Sequence, residues 1–369
     1  MESERQAVES ASELQERVRA LIAQTGPDVD GDAGFNRLAL DLFRFQFERV
    51  PIYRRVCEMR GVGPGGIDHW SRIPALPTSA FKEHVVSSLA ESERSRVFHS
   101  SGTTGHVPSR HYHSAGSLSL YEASLLPWFE RHFPVAGAAL VFLTPPADLA
   151  PHSSLVHMFD TIRRRGAGDS LFAGAVEADG SWSVDFNRLA AAVGGAVAAN
   201  RPVGLLGTAF SFVHWLDHLA VKKTPQRLPA GSSILETGGY KGRSRAVARA
   251  DLRRLMTKHL GVPESRIVAE YGMSELSSQA YDGVAGQTRQ AAGLFRFPPW
   301  VRIRIISPET GADAASGETG LLRVFDPANM YSVMAIQTED LAASRGDGFE
   351  LLGRAESAGP RGCSLMAAS

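Results

Sequence analysis

The alternation of apolar and polar positions along the chain predicts helices and strands that follow one another in turn. Apolar residues recur at helical spacing in several segments, and short apolar runs of strand length lie between them. The predicted helices span residues 8–23, 35–60, 118–131, 154–165, 186–199, 210–219 and 243–260. The predicted strands span residues 96–99, 138–143, 203–206, 232–237 and 267–270, with short strands around Leu171 and Trp182.

This order of elements predicts an α/β fold with a largely parallel sheet and helices on its faces. From residue 301 the pattern changes to three β segments separated by turn residues, at 301–306, 320–325 and 333–336. Residues 353–369 have no periodicity and are rich in Gly, Ser and Ala, which is typical of a mobile tail. We therefore expect an α/β core in residues 1–300, a β-rich subdomain in 301–352 and a tail in 353–369.

Composition narrows the class of protein. With 369 residues, 43% apolar and 21% charged, the chain has an ordinary globular composition. Its 39 basic and 39 acidic residues give no net charge, so we expect neither nucleic acid nor an anionic membrane as a partner. The N-terminus is acidic rather than basic and then apolar, and no uninterrupted apolar run has membrane-spanning length. Two cysteines are too few for a disulfide framework, so we expect a cytoplasmic location.

A loop rich in glycine and hydroxyl side chains follows the strand predicted at 96–99. Glycines allow successive N–H groups to point into one concavity, and hydroxyls add donors with little bulk. A triphosphate needs such a cradle. The alternative is an ordinary surface turn, since Ser, Thr and Gly are common in loops. The loop consists of Ser100, Ser101, Gly102, Thr103, Thr104 and Gly105.

Two other predicted strands are also followed by residues that suit a nucleotide. Gly238 and Gly239 allow a flat ring to approach the backbone, although a simple turn between strand and helix explains them equally well. Tyr271, Ser274 and Glu275 offer an aromatic face, a hydroxyl and a carboxylate, which could stack a base, bind a phosphate oxygen and hold Mg²⁺. The alternative is a loop with a buried tyrosine and a solvated glutamate.

Three residues near the C-terminus complete the candidate chemistry. Asp340, at the end of a predicted strand, could accept hydrogen bonds from ribose hydroxyls, and Arg354 supplies positive charge. Surface ion pairing is the alternative for both. Cys363 lies close to Arg361, and a neighbouring cation raises the thiolate fraction of a cysteine. The alternative is an incidental C-terminal cysteine.

Taken in order, these motifs resemble those of the adenylate-forming enzymes, which activate carboxylic acids with ATP. Within that superfamily, the chain length, the run at 101–111 and the terminal Arg361-Gly-Cys-Ser-Leu-Met resemble the LuxE acyl-protein synthetase family. The resemblance extends from about residue 70 to the C-terminus. It implies the large N-terminal domain of these enzymes, with parallel sheets flanked by helices, a small β subdomain and a truncated C-terminal mobile domain.

The resemblance also implies roles for the candidate residues, with ATP and Mg²⁺ as cofactors. Residues 100–105 and Ser274 bind the phosphates, Gly238 and Gly239 flank the adenine, Tyr271 stacks on it, Glu275 binds Mg²⁺, Asp340 holds the ribose, Arg354 lies near ribose or phosphate, and Cys363 receives the acyl group. Ser274 and Glu339 stand where the superfamily usually has Thr and Gly. No lysine follows Lys258. Charge stabilisation during adenylation is therefore expected from loop N–H groups, Arg354 and Mg²⁺.

The expected activity is ATP-dependent activation of a fatty or other carboxylic acid, followed by transfer to Cys363 as a thioester. The acyl group then passes to an acyl-CoA or acyl-protein reductase as partner. Two alternatives remain open, a ligase that uses coenzyme A as acceptor and a non-catalytic docking subunit. We expect the apolar pocket for the acyl chain between the helices around residues 155–159 and 210–216.

Overall fold

Helices pack against both main sheets of this chain. The computed structural model describes residues 10–24, 31–100, 107–166, 168–224, 226–238, 247–288 and 293–355. Among these residues, no helix combines the length and the apolar character needed to cross a membrane. The helices are α1 (Ala11–Ala23), α2 (Gly31–Arg49), α3 (Pro51–Met59), α4 (Ala80–Glu83), α5 (Ala115–His132), α6 (Ser154–Arg165), α7 (Phe186–Ala198), α8 (Ala209–Lys222) and α9 (Arg249–Leu260).

The strands form two six-stranded sheets and two short hairpins within the described residues. They are β1 (Leu76–Pro77), β2 (Arg96–His99), β3 (Arg110–His113), β4 (Ala139–Phe142), β5 (Ser170–Phe172), β6 (Gly174–Val176), β7 (Trp182–Val184), β8 (Val203–Thr208), β9 (Ser233–Thr237), β10 (Ile267–Tyr271), β11 (Ala280–Tyr281), β12 (Leu294–Phe295), β13 (Arg302–Ile306), β14 (Thr319–Phe325), β15 (Ala335–Arg345) and β16 (Gly348–Arg354).

The central sheet has the order β11-β10-β9-β8-β4-β5, and only the β10–β11 pair is antiparallel. Its strands are mostly apolar because both faces are buried. Leu235 and Val268 belong to the core beneath α5 and α6, whereas their neighbours Ile234 and Ile267 belong to the core beneath α7, α8 and α9. This alternation confirms the predicted parallel sheet with helices on its faces.

The second sheet has the order β12-β16-β15-β14-β13, with β1 paired in parallel to the start of β15. Its other pairs are antiparallel, as the change of pattern after residue 301 predicts. The strands β1 and β12, which come from before residue 301, were not predicted because each is only two residues long. The sheet lies against the same core as α1, α2 and α5.

Two predicted boundaries differ from the structure for identifiable reasons. The helix predicted at 35–60 is two helices, because Pro51 has no N–H and holds the preceding Val50 in an extended conformation, with φ −110° and ψ 97°. The strand predicted at 333–336 runs on to Arg345, so Asp340 lies inside β15 and not at a strand end. Arg354 is the last residue of β16 rather than part of a segment after a strand.

Candidate active site

The strand ends of β9 and β10 place two of the predicted residues side by side. Thr237 and Glu270 are paired in register, so the next residues, Gly238 and Tyr271, meet at the carboxyl edge of the sheet. A Cβ atom at Gly238 would meet no atom of the described residues within 4 Å. Gly239 lies outside the described residues. Ligands of open α/β sheets bind at this edge.

Tyr271, Asp340 and Arg354 form one hydrogen-bonded group. The Tyr271 hydroxyl donates to Asp340 Oδ2 at 2.7 Å, and Arg354 Nε donates to Asp340 Oδ1 at 3.1 Å. Asp340 and Arg354 are directly opposite each other on β15 and β16, so the register of the sheet fixes the pair. Each carboxylate oxygen keeps a second lone pair, which leaves Asp340 able to accept hydrogen bonds from a ligand.

Aromatic side chains hold the Tyr271 ring from the side of the antiparallel sheet. The rings of Phe295, Phe297 and Phe349 lie edge-on to it, with centroids 6.1, 6.0 and 5.6 Å away. Burial and the nearby Asp340 carboxylate raise the pKa of Tyr271 well above its ordinary value. The hydroxyl therefore stays protonated and acts as a donor to Asp340.

Ser274 and Glu275 lie on the loop after β10. Ser274 Oγ donates to the Glu275 carboxylate at 2.9 Å, and both side chains are almost fully buried. Carboxylate and hydroxyl oxygens suit Mg²⁺, which is usually held by one or two carboxylates together with substrate phosphates. Among the residues the structure describes, no cluster of three or more His, Cys, Asp or Glu could hold a metal. The Ser274 hydroxyl and the Glu275 carboxylate are of the chemistry that Mg²⁺ accepts together with a phosphate.

The turn between β14 and β15 fixes this loop. Asp326 accepts hydrogen bonds from the N–H groups of Ser277 and Ser278 at 3.0 and 2.8 Å, and Asn329 Nδ2 donates to the Glu275 carbonyl at 2.8 Å. Gln46 on α2 donates in turn to the Asn329 carbonyl at 3.2 Å. The N-terminal helices therefore support the loop that carries Glu275. No motif in the sequence indicated these residues.

The β2–β3 hairpin, whose strands flank the predicted phosphate loop in sequence, is attached to the Ser274 loop. Its strands are antiparallel, and Ser109 N donates to Ser100 Oγ at 2.9 Å where the loop begins. His111 Nδ1 is 2.8 Å from the Ser274 carbonyl oxygen, so Nδ1 carries the proton and the hairpin is attached to the Ser274 loop. Burial lowers the pKa of His111 to about 4, against the opposing effect of this hydrogen bond, so the ring is neutral near pH 7. Ser101, Gly102, Thr103, Thr104 and Gly105 lie outside the described residues.

The structure describes only one of the two cysteines. Cys363 lies outside the described residues, so its predicted role as acyl acceptor stays a prediction. Cys57 is fully buried on α3, and burial raises the pKa of its thiol to about 11. A buried, protonated thiol is a poor nucleophile.

The prediction that the helices around residues 155–159 and 210–216 share one acyl pocket is wrong. Phe159 on α6 belongs to the core on one face of the central sheet, and Phe212 on α8 belongs to the core on the other face. The sheet separates the two helices, so they cannot line a common pocket. Both apolar stripes are core packing.

Sequence reasoning also missed Glu270, because it continues an otherwise apolar strand. Its carboxylate is on the opposite face of β10 from Tyr271 and is hydrogen-bonded to the Thr237 side chain. Burial raises the pKa of Glu270 to about 7; the hydrogen bond from Thr237 opposes this, and the nearby Glu236 carboxylate adds a smaller rise. A titratable group with such a perturbed pKa beside a candidate site is itself a functional candidate.

Comparisons with solved structures agree with this architecture. A crystal structure of 2-hydroxyisobutyryl-CoA ligase in complex with 2-HIB-AMP and CoA has a TM-score of 0.67 and 14% sequence identity, covering 97% of this chain and 74% of the other. A second structure of that ligase, in an open conformation, has a TM-score of 0.66 and 14% identity, covering 90% and 76%. The chain therefore has the fold of these ligases.

Comparisons of sequence identify the family. The long-chain-fatty-acid–luciferin-component ligase of Vibrio harveyi is 24% identical over 348 residues, which cover 89% of this chain and 86% of that protein. The enzyme of the same name from Aliivibrio fischeri is 22% identical over 353 residues, covering 90% and 88%. The family model described as acyl-protein synthetase, LuxE, matches residues 144–369, more than half of the chain. The protein belongs to the LuxE acyl-protein synthetase family.

Proposed function

We propose that this protein uses ATP to activate a fatty or other carboxylic acid as an acyl adenylate and then transfers the acyl group to its own Cys363. Membership of the acyl-protein synthetase family supports the activity, and the names of the two curated relatives support a fatty acid as the substrate class. We further propose that the thioester is passed to an acyl reductase partner in the cytoplasm. The proposed reaction is therefore that of an ATP-dependent acid–thiol ligase.

Two steps make up the proposed reaction. A carboxylate oxygen of the acid attacks the α-phosphorus of ATP, the new O–P bond forms, and pyrophosphate leaves with the electrons of the broken P–O bond. The Cys363 thiolate then attacks the acyl carbonyl carbon, a C–S bond forms, and AMP leaves. Binding both reactants in one site removes much of the entropic barrier to the first step.

The described residues support the nucleotide half of this scheme. Asp340, held by Tyr271 and Arg354, would accept hydrogen bonds from the ribose hydroxyls. Ser274 would donate to the α-phosphate, and Glu275 would hold Mg²⁺, which when bound neutralises phosphate charge. Gly238 leaves room for the adenine beside Tyr271.

One observation carries the proposal: the hydrogen bond between His111 and the Ser274 carbonyl. It joins the hairpin that bears the glycine and hydroxyl loop to the loop that bears Ser274 and Glu275. His111 and Ser274 are 163 residues apart in sequence. The proposal requires both segments to contact the same nucleotide polyanion, and this hydrogen bond supports it.

Covalent labelling tests the transfer step. The protein is incubated with ATP, Mg²⁺ and a radioactive acid, denatured, and analysed by gel, with neutral hydroxylamine to release a thioester. We expect label on the wild-type chain and on Cys57→Ala, and no label on Cys363→Ser. Cys363→Ser should still support acid-dependent exchange of pyrophosphate into ATP.

Other outcomes identify the alternatives. Acyl transfer to added coenzyme A without label on the polypeptide would assign the protein to the CoA ligases. The absence of both label and pyrophosphate exchange with every acid, together with no rise in melting temperature on adding an acyl-adenylate mimic, would leave a non-catalytic docking role.

A further inference from the structure

We propose that a buried polar cluster beneath α5 binds a hydrogen-bonding substituent, a hydroxyl or an amine, on the acid that this protein activates. The Glu270 cluster consists of Thr237, Glu270, Gln279 and Tyr281 at the carboxyl edge of the central sheet, together with Tyr121 on α5. The inference rests on the proposed function and specifies its substrate as a polar-substituted carboxylic acid rather than an unsubstituted alkanoic acid.

The register of the sheet assembles the cluster on one face. Glu270 is paired with Thr237 on β9 and with Tyr281 on β11, so the three side chains project to the same side. Gln279 Nε2 is 3.4 Å from the Tyr121 hydroxyl, which brings α5 against the group. Each of these side chains is at most 9% exposed. Polar groups at this density are unexpected in the interior between a sheet and a helix.

The members of the cluster do not supply a hydrogen-bond partner for every polar group in it. The Tyr281 hydroxyl is buried and has no hydrogen-bond partner within the part of the chain that the structure describes. Among the described residues, no Lys, Arg or His forms an ion pair with Glu270, whose side-chain partner is Thr237. Leaving a buried polar group unpaired costs about 1–3 kcal/mol, so such groups in a folded protein need an explanation. A ligand group that accepts from Tyr281 or donates to Glu270 would remove the deficit.

The position of the cluster relative to the nucleotide residues connects it with the acid. Glu270 immediately precedes Tyr271, and a Cβ atom at Gly272 would come within 2.4 Å of Glu270 Oε1 and 3.5 Å of Gln279 Cγ. The backbone of Gly272 therefore lies directly against the cluster, two residues before Ser274. In the proposed site, an acid whose carboxylate is held at Ser274 would extend toward this cluster.

The chemistry of the cluster also predicts its selectivity. A purely apolar chain placed against Glu270 and Tyr281 would bury both without hydrogen bonds, whereas a hydroxyl or amine would satisfy them. Sites that hydrogen-bond a substrate group reject analogues lacking it far more strongly than apolar pockets reject a missing methylene. We expect the preference for the substituted acid to be at least about tenfold in kcat/KM.

Pyrophosphate exchange with matched acids tests the inference. The panel pairs unsubstituted short-, medium- and long-chain alkanoic acids with their α-hydroxy, β-hydroxy, ω-hydroxy and α-amino derivatives, and benzoic acid with its hydroxy and amino derivatives. The variants are Tyr281→Phe and Glu270→Gln. The control, Tyr331→Phe, also removes a hydroxyl, one that donates to Gln15 on α1 away from the cluster.

We expect the wild type and Tyr331→Phe to prefer one substituted acid over its unsubstituted partner, and Tyr281→Phe and Glu270→Gln to reduce that ratio toward one. The ratio is the readout because a variant that only destabilises the fold lowers activity with both acids equally. Best activity with an unsubstituted acid, or an unchanged ratio in folded variants, overturns the inference but keeps the proposed function. Exchange with no acid at all overturns the proposed function and the inference with it.

Discussion

Tyr271 and Glu270 are consecutive residues of β10, and the two faces of the strand place them in contrasting surroundings. The Tyr271 hydroxyl donates to Asp340, which also accepts from Arg354, so each member of the Tyr271 group has a partner. On the other face, the Tyr281 hydroxyl beside Glu270 has no hydrogen-bond partner among the described residues. The Tyr271 group is complete without a ligand, and the Glu270 cluster is not.

This difference indicates how the protein can combine a rigid nucleotide site with selection of its acid. A network whose members are all hydrogen-bonded is held in one geometry before the ligand arrives, which reduces the entropy lost on binding. A cluster with an unpartnered group gains most from a ligand that supplies the missing partner. Variants of residues on each face of β10 test this difference.

Replacement of Asp340 should have the largest effect, because Asp340 joins Tyr271 and Arg354 and is the proposed ribose acceptor. In Asp340→Ala we expect kcat/KM for ATP in pyrophosphate exchange to fall about 100-fold, the value for two lost hydrogen bonds to a charged group. Unfolding free energy should fall by about 1–3 kcal/mol, because the buried Tyr271 hydroxyl loses its acceptor. Kinetics and urea denaturation measure the two effects.

The neighbouring residue provides the matched control. Glu339 is on the same strand but its side chain is exposed, so Glu339→Ala should change neither quantity appreciably. Equal losses of kcat/KM and of unfolding free energy in Asp340→Ala and Glu339→Ala would mean that Asp340 has no specific role in ATP binding or stability.

Glu270 should make stability depend on pH in a defined direction. Its pKa is raised from an ordinary 4.5 to about 7 in the folded protein, chiefly by burial. Between these values the folded state holds a proton that the unfolded state has released, so stability falls as pH rises. At about 1.4 kcal/mol per pKa unit, the loss is about 3 kcal/mol and is complete above pH 7.

Glu270→Gln isolates this contribution, because glutamine keeps the shape and does not titrate. Relative to the wild type, the variant should gain stability progressively between pH 4.5 and 7 and keep that gain above pH 7. Urea denaturation at several pH values measures it. A constant difference between the two proteins over this range would show that Glu270 does not hold its proton in the folded state.

The features that could be predicted are those that leave a local pattern or a motif in the sequence. The central sheet was predictable because its strands are continuous apolar runs between amphipathic helices. Tyr271, Asp340 and Arg354 were selected by their resemblance to ordered motifs, and the structure places them in one hydrogen-bonded group. The roles assigned to them stay predictions.

The remainder was unpredictable for physical reasons. Whether Asp340 and Arg354 are opposite each other depends on the register of β15 and β16, which are joined by a turn and shift register between Leu341 and Ala342. Asn329 reaches the Glu275 carbonyl across 54 residues of sequence, and no local pattern records such a contact. The polar character of the Glu270 face depends on β10, β11 and α5 meeting, which only the tertiary structure shows.

His111 links the hairpin to the Ser274 loop, so its loss should have an intermediate effect. His111→Ala leaves the Ser274 carbonyl without this donor, and we expect unfolding free energy to fall by about 2 kcal/mol. His111→Asn, whose amide can donate from nearly the same position as Nδ1, should recover part of it. Denaturation of the three proteins near neutral pH measures the difference, because the histidine is neutral there.

The same residue predicts how stability changes in acid. The pKa of His111 is lowered from 6.5 to about 4 by burial, so the unfolded chain binds a proton that the folded chain does not. Stability due to His111 is therefore complete above pH 6.5 and is lost as pH falls toward 4. His111→Asn should lose less stability than the wild type over this range. Parallel profiles for the two proteins would contradict the assignment of a neutral ring.

The smallest expected effect tests whether the complete face is cooperative. Tyr271→Phe removes one donor, but Asp340 keeps Arg354 as a partner, so we expect a loss of only about 1 kcal/mol. In a double-mutant cycle with Asp340→Ala, the coupling energy between the two positions should be about 1 kcal/mol, since each single variant already breaks the same hydrogen bond.

Tyr281→Phe, in the Glu270 cluster, removes a hydroxyl that has no partner among the described residues and should leave stability unchanged or slightly raised. Two tyrosine hydroxyls on opposite faces of one sheet edge would then differ in sign, because one completes a network and the other awaits its ligand. A loss in Tyr281→Phe as large as that in Tyr271→Phe would mean that the Tyr281 hydroxyl has a partner in the unliganded protein, and the contrast between the two faces would disappear.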